Sequence, residues 1–175
     1  MLEDGVQNQK KMTNSQLTGG IKALLDEYKK AINELIVVLK PLTETSLAII
    51  VDDKTSDADC QSIQTILSHV VCSGYGYTIY IENFMGLNKP RPQKETFEHV
   101  DQYIAQLNLM FAYCENCFIA APNLAIEQMD NAKKITTNWG QQYDIEQLLE
   151  HAIVHILRHR RQIEGFIQKQ NEQKI

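Results

Sequence analysis

The sequence predicts an all-α protein whose four long helices pack as a four-helix bundle. Only eight glycines and four prolines interrupt the 175 residues, so few positions break a helix. Between these breaks, apolar residues recur at intervals of three and four over long stretches, which is the period of an amphipathic helix. Four predicted helices of about 20–28 residues are typical of a four-helix bundle, and the total length suits one domain.

Three segments are expected along the chain. Residues 1–20 are rich in Gln, Asn, Lys and Thr, and we interpret them as a flexible leader. Residues 21–170 form the helical domain, and residues 171–175 form a short polar tail. The first predicted helix spans residues 21–39 and ends before Pro41. The short apolar run that follows, Leu47–Val51, is interpreted as a connection to the second helix.

The second predicted helix begins at an N-cap on Asp57 or Asp59 and runs to about Met85. Gly74 and Gly76 lie in its middle, where each weakens a helix by roughly 1 kcal/mol relative to alanine. Glycine has no side chain, so both positions would allow another helix or a ligand to come close. Gly86, Pro90 and Pro92 then mark a loop.

The third predicted helix spans Thr96 to about Ala120 and ends before Pro122. Residues 123–143 are expected to be irregular, with one short turn. The fourth helix begins at Asp144, where Gln147 three residues later resembles a capping box, and it runs to about Gln168.

Composition narrows the function classes. The chain carries 17 Lys and Arg against 22 Asp and Glu, a net charge of −5 at pH 7. This mild acidity argues against a nucleic-acid partner, because such proteins usually show a basic stripe. No apolar run approaches the roughly 18–20 residues that span a bilayer, and the polar N-terminus lacks the apolar core of a secretory signal. We therefore expect a cytoplasmic protein with neither a membrane nor a nucleic-acid partner.

The cysteines are interpreted as reduced thiols, since a chain of this length buries a core without disulfides. Cys114 and Cys117 have the spacing of a zinc or redox motif. They lie on an apolar helical stretch without a second pair, so we interpret them as small buried hydrophobic residues.

Three histidines on the fourth helix indicate a metal site. His151, His155 and His159 follow one another at intervals of four, so each lies about 40° around the helix from the one before. With His151 at 0°, the apolar stripe of this helix occupies about 60° to 140°. His159 at about 80° lies inside the stripe, and His155 at about 40° lies at its edge. Two imidazoles at i and i+4 can bind one metal ion.

His69 adds a third candidate ligand, at the margin of the apolar face of the second helix. Three nitrogen ligands are the number found at catalytic metal sites that keep a position open for water or substrate. The alternative is that these histidines are structural and satisfied by hydrogen bonds. His99 lies among polar residues and is not expected to bind the metal, and His151 lies outside the predicted triad.

The sequence of the fourth helix resembles the closing helix of the DinB/YfiT-like family, which carries the pattern H-x3-H-R-G-Q-I. The phrase Ile66–His69 on the second helix also matches the family's L-x-H motif, and Trp139-Gly140 is similar to family members. Arg161 departs from the pattern, since the family often has glycine there. On the fourth helix the matching residues are His155, His159, Arg160, Gln162 and Ile163.

The resemblance implies a fold and a class of chemistry. It implies an up-down-down-up four-helix bundle, often a homodimer, with a divalent metal ion, zinc or nickel, on His69, His155 and His159. Some relatives transfer low-molecular-weight thiols or hydrolyse simple substrates, so the resemblance implies a metal-dependent thiol S-transferase or hydrolase acting on a small molecule. The alternatives are a non-catalytic metal-binding protein and a helical interaction bundle.

Four further side chains are candidate helpers of this site. Tyr77 and Tyr80 follow His69 along the second helix and could line a pocket, or could be core aromatics. Glu150 could orient a ligand imidazole or could be solvated, and Gln162 could form a hydrogen bond near His159. The residue patterns identify no general base.

Overall fold

The computed structural model describes Leu17 and residues 19–172, and within this part of the chain it is mostly helical. Four long helices have 21, 22, 21 and 28 residues, and one short helix precedes the second of them. The all-α prediction is therefore confirmed. The five helices are α1 (Gly19–Leu39), α2 (Glu44–Ala48), α3 (Ile63–Phe84), α4 (Val100–Ala120) and α5 (Ile145–Glu172).

The predicted cap of the second long helix was wrong. Helix α3 begins at Ile63, and Ser62 is its N-cap. The Ser62 side chain accepts from the Thr65 amide, and the Thr65 hydroxyl accepts from the Ser62 amide. This reciprocal box satisfies two backbone donors at once. Asp57 instead caps a short 3-10 helix, Ala58–Cys60, which separates the predicted start from the true one.

The other boundaries of the long helices differ by a few residues. Helix α4 begins at Val100 rather than Thr96, with His99 as its N-cap and the Gln102 side chain accepting from the His99 amide at 3.1 Å. At α5 the predicted capping box is confirmed: Asp144 and Gln147 accept from each other's backbone amides at 2.8 and 3.1 Å. Helix α5 continues to Glu172, past the predicted end.

One short helix and one pair of short strands were not predicted. Helix α2 forms where the sequence indicated only a connection, with Thr43 as its N-cap and Leu47 buried. In the segment before α5, strands β1 (Ile135–Thr136) and β2 (Gln142–Tyr143) form an antiparallel pair. Two-residue strands are too short to leave an alternating pattern in the sequence.

The core lies between the four long helices. Helix α1 packs against α4 and α5, and α3 packs against the same two helices. Tyr28 of α1 and Phe111 of α4 meet edge to face, with ring centres 5.9 Å apart. Cys114 and Cys117 are buried, as predicted, and burial raises their pKa values to about 12 and about 11.

Two of the predicted segments fall largely outside the described residues. Most of the leader, residues 1–20, lies there, as do residues 173–175 of the tail. Leu17 is buried in the core, and α1 begins two residues before the predicted start. No described helix has both the length and the apolar character needed to cross a membrane.

Gly74 allows α3 and α4 to approach each other closely. A Cβ atom at this position would lie 2.0 Å from the sulfur of Met110 and 2.9 Å from its Cγ. Gly165 of α5, in contrast, has no atom within 4 Å of the corresponding point.

We expect opposite effects from alanine at these two helical glycines. Gly165→Ala should raise the free energy of unfolding by about 1 kcal/mol, through helix propensity alone. Gly74→Ala should lower it by about 1–3 kcal/mol, because the clash of the new methyl group with Met110 costs more than the gain in helix propensity. Urea unfolding measures both. A Gly74→Ala protein as stable as Gly165→Ala would show that α4 can move away freely.

Candidate metal centre

Three predicted ligands from two helices meet at one point between α3 and α5. The Nε2 atoms of His69 and His155 are 2.9 Å apart. The ring centre of His159 lies 5.1 Å from that of His69 and 4.4 Å from that of His155. One nitrogen from each of the three residues lies within 4.8 Å of the others. Residues separated by 86 positions in the chain thus form a single cluster.

The burial of His155 and His159 agrees with the positions around α5 that the sequence predicted for them. His159 is only 2% exposed and lies within the core. His155 and His69 are partly buried and line a cleft of about 510 Å³ that opens beside the cluster. The cluster therefore has one side in the protein interior and one side accessible from the cleft.

Two hydrogen bonds determine which ring nitrogens face the centre of the cluster. Nδ1 of His69 lies 3.2 Å from Oδ2 of Asp59, and Nδ1 of His159 lies 3.0 Å from Oε1 of Gln162. These oxygens can only accept, so both Nδ1 atoms carry the proton. Nε2 of each ring then presents its lone pair toward the cluster, and in His69 this lone pair accepts a hydrogen bond from Nε2 of His155. This is the tautomer that binds a metal ion through Nε2.

Burial also keeps two imidazoles neutral. It lowers the pKa of His155 to about 2, with a further contribution from the neighbouring histidines. It lowers the pKa of His159 to about 4, helped by His69 and opposed by the hydrogen bond to Gln162. Metal ligation requires neutral imidazole, so no proton has to be removed from these two rings near pH 7.

Aromatic side chains form one wall of the cleft. Trp139 stacks on His151, with ring centres 5.6 Å apart and planes 24° from parallel. Tyr77 presents its edge to His151 at 5.4 Å and to His155 at 5.6 Å. The backbone amide of Asn138 donates to the Tyr80 hydroxyl at 2.8 Å. Tyr77 thus lines the cleft as predicted, whereas Tyr80 supports the loop that carries the tryptophan.

The remaining histidines lie outside the cluster. Nδ1 of His151 is 3.2 Å from the hydroxyl of Tyr143, and its ring centre is 6.3 Å from that of His155. His99 is the N-cap residue of α4, and its Nδ1 lies 3.6 Å from a carboxylate oxygen of Glu44.

The role of Asp59 was not predicted, and of the two interpretations of Glu150 the structure supports the solvated one. Asp59, not Glu150, lies on a ligand imidazole; Glu150 is exposed on α5. Asp59 was considered only as a helix cap, because nothing in the sequence shows that the 3-10 turn brings it back onto α3. The predicted contact of Gln162 with His159 is present.

Two basic residues of the cleft were also missed. Arg91 and Lys94 lie in the segment between α3 and α4, and both line the cleft beside His69 and His155. Lys94 forms an ion pair with Asp59. The guanidinium carbon of Arg91 lies 5.6 Å from the ring centre of Tyr80.

Comparison with known proteins identifies one family. The DinB family model matches residues 11–169, which is most of the chain. No curated protein and no solved structure matches the chain.

The low pKa values predict how the metal-free protein responds to acid. Unfolded histidines titrate near pH 6.5, whereas folded His155 and His159 stay neutral to about pH 2 and about pH 4. Between these limits the unfolded chain binds more protons, so the free energy of unfolding should fall as the pH falls. The expected slope is about 1.4 kcal/mol per pH unit for each histidine.

Urea unfolding in the presence of a chelator, at several pH values between about 7.5 and 5, measures this slope. His155→Gln should reduce this slope by up to about 1.4 kcal/mol per pH unit, the contribution of one histidine. His99→Gln, at an exposed position, should leave the slope unchanged. A stability that does not depend on pH over this range would contradict the prediction.

Proposed function

Because the chain belongs to the DinB family, we propose that it binds one divalent metal ion, zinc or nickel, through His69, His155 and His159. The observation that carries the proposal is the convergence of one nitrogen from each of the three imidazoles within 4.8 Å. The donor set fits such an ion, since imidazole nitrogen is a preferred ligand of zinc and nickel.

We propose further that the site is catalytic, of the thiol S-transferase or hydrolase type, and acts on a small molecule such as a low-molecular-weight thiol. Three protein ligands leave a coordination position open, and the cleft reaches two of them, His69 and His155. A divalent ion in such a site lowers the pKa of a thiol or a water molecule, which supplies a nucleophile at neutral pH.

The protein's own residues have distinct roles in this proposal. Asp59 accepts the Nδ1 proton of His69 and thereby orients its Nε2 atom toward the centre. Gln162 does the same for His159. Trp139 and Tyr77 form an aromatic wall of the cleft, which would exclude water from one side of a bound substrate.

The alternative is a metal-binding protein or interaction bundle without catalysis. A purely structural ion would have a fourth protein ligand, and His151 is the nearest further histidine on α5. Its Nδ1 is directed to the Tyr143 hydroxyl, and among the described residues the candidate ligand group contains three histidines only. These observations favour an open site.

The up-down-down-up arrangement is also a proposal, in which α3 and α4 run parallel to each other and antiparallel to α1 and α5. Contacts near both ends of the helices support these directions. His69 with His159 and Tyr77 with His151 support antiparallel α3 and α5. Ser68 with Tyr103 and Tyr75 with Tyr113 support parallel α3 and α4. The contact of Glu44, just after α1, with His99 at the start of α4 supports antiparallel α1 and α4.

We also propose that the protein forms a homodimer and lies in the cytoplasm. Val154 and Leu157 are exposed on α5 and, at a spacing of three residues, share one face of the helix, where a second copy could pack. All four cysteines are free thiols, the form expected in a reducing compartment.

Metal content tests the central proposal. The protein, purified without a histidine tag and incubated with zinc or nickel, should retain about one equivalent of metal by elemental analysis, as expected for one three-histidine site. His155→Ala should lose it, since two imidazoles hold an ion less firmly than three. His151→Ala should retain it. Absence of metal from the reconstituted wild type would refute the proposal, and loss in His151→Ala would point to a closed, structural site.

Asp59 provides a second test. Asp59→Asn keeps the size of the side chain but weakens the acceptor for the Nδ1 proton of His69, so metal affinity should fall by about 10–100-fold. Competition with a chromophoric chelator measures the affinity. Glu150→Gln is the matched control, because it removes one carboxylate from an exposed position of α5. Equal losses in the two variants would show that overall charge, not the contact with His69, is responsible.

A further inference from the structure

The cleft beside the three histidines carries a positively charged guanidinium that no carboxylate of residues 19–172 neutralises. Arg91 lines this cleft and is exposed. It forms no ion pair with any residue in the described part of the chain. Its neighbour Lys94 is already paired with Asp59. The Arg91 guanidinium is therefore available in the cleft to a ligand with a negative charge.

The structure holds Arg91 in place. Lys89, two residues earlier, forms an ion pair with Glu82, at 2.6 Å between Nζ and Oε1, and Glu82 is only 5% exposed. Asn83 donates a hydrogen bond to the Lys89 carbonyl at 2.9 Å. The guanidinium also packs against Gly76, where a Cβ atom would lie 3.6 Å from Nη2. Arg91 is thus positioned on the surface of α3 by anchors that precede it in the chain.

Helix geometry relates the position of this guanidinium on α3 to that of His69. Gly76 follows His69 by seven residues on the same helix. Seven residues are two helical turns, so the two positions share one face and are separated by about 10 Å along the axis. Tyr77 and Trp139 line the cleft together with His69 and Arg91.

We propose that Arg91 binds an anionic oxygen group of the substrate, a carboxylate or a phosphate, at the end of the substrate farther from the three histidines. A guanidinium presents two parallel donors that match either group. The aromatic side chains favour an apolar or planar portion between the two ends. The inference rests on the proposed function, because the reacting group is the one held beside His69, His155 and His159.

The first experiment compares two thiols of equal length on the zinc-loaded full chain. Mercaptooctanoate carries a carboxylate at its far end, and mercaptooctanol carries a neutral hydroxyl there. Calorimetry should show that the wild type binds the acid about tenfold or more tightly than the alcohol, since hydrogen bonds to charged groups are strong. Arg91→Gln should abolish this preference without changing the zinc content.

Arg158→Gln is the matched control. Arg158 is exposed on α5 and also lowers the pKa values of His155 and His159, but it does not line the cleft. The control should keep the preference for the acid. Equal affinities of the wild type for the two thiols, or a preference that survives in Arg91→Gln, would overturn the inference. Competition by acetate or by inorganic phosphate then distinguishes a carboxylate site from a phosphate site.

A second experiment needs no metal. Trp139 is the only tryptophan of the chain, and its ring centre is 5.9 Å from that of Tyr80, over which Arg91 lies. In metal-free protein, anionic iodide should quench its fluorescence less in Arg91→Gln than in the wild type, by about twofold, because local charge concentrates the anion. Neutral acrylamide should quench both equally.

The two experiments separate the two proposals. Zinc retained together with unchanged iodide quenching in Arg91→Gln would remove the anion site and leave the metal site. If the wild type fails to retain zinc but iodide quenching is reduced in Arg91→Gln, the metal site would be refuted and the anion site would stand.

Discussion

The need to satisfy buried imidazoles governs this structure. His159 is almost completely buried on the apolar face of α5, and a polar ring in such a place must have partners for both nitrogens. Gln162 serves one nitrogen from the next turn of the same helix. The other faces His69 and His155, so α3 must cross α5 at this level.

The chain before α3 is shaped by the same requirement. His69 needs an acceptor for its Nδ1 proton, and the 3-10 turn Ala58–Cys60 brings Asp59 to it. This turn displaces the start of α3 to Ile63, where Ser62 and Thr65 cap it. Of the two residues predicted as the cap of α3, Asp57 caps the 3-10 turn and Asp59 accepts from His69.

Much of the fold and part of the site could be predicted from the sequence, because both depend on helical periodicity. The four long helices and the inward position of His159 follow from residue spacing. The contact of Gln162 with His159 could be predicted, because both lie on one helix. The places of Asp59, Arg91 and Trp139 in the cleft could not, since these residues lie on segments whose course depends on tertiary contacts. Helix α2 and the two strands are too short for their periods to repeat, so they leave no pattern in the sequence.

Arg91 and the three histidines lie on parts of the chain with different kinds of backbone, although His69, His155 and Arg91 line the same cleft. The three histidines belong to helices, where a shift by one residue rotates every side chain by about 100°. Arg91 belongs to irregular backbone tied down through Lys89 and the buried Glu82, and such backbone tolerates changes in length and composition. Under the proposed function, divergence or engineering can therefore alter which ligands the cleft accepts, residue by residue, while the three histidines on the helices are retained.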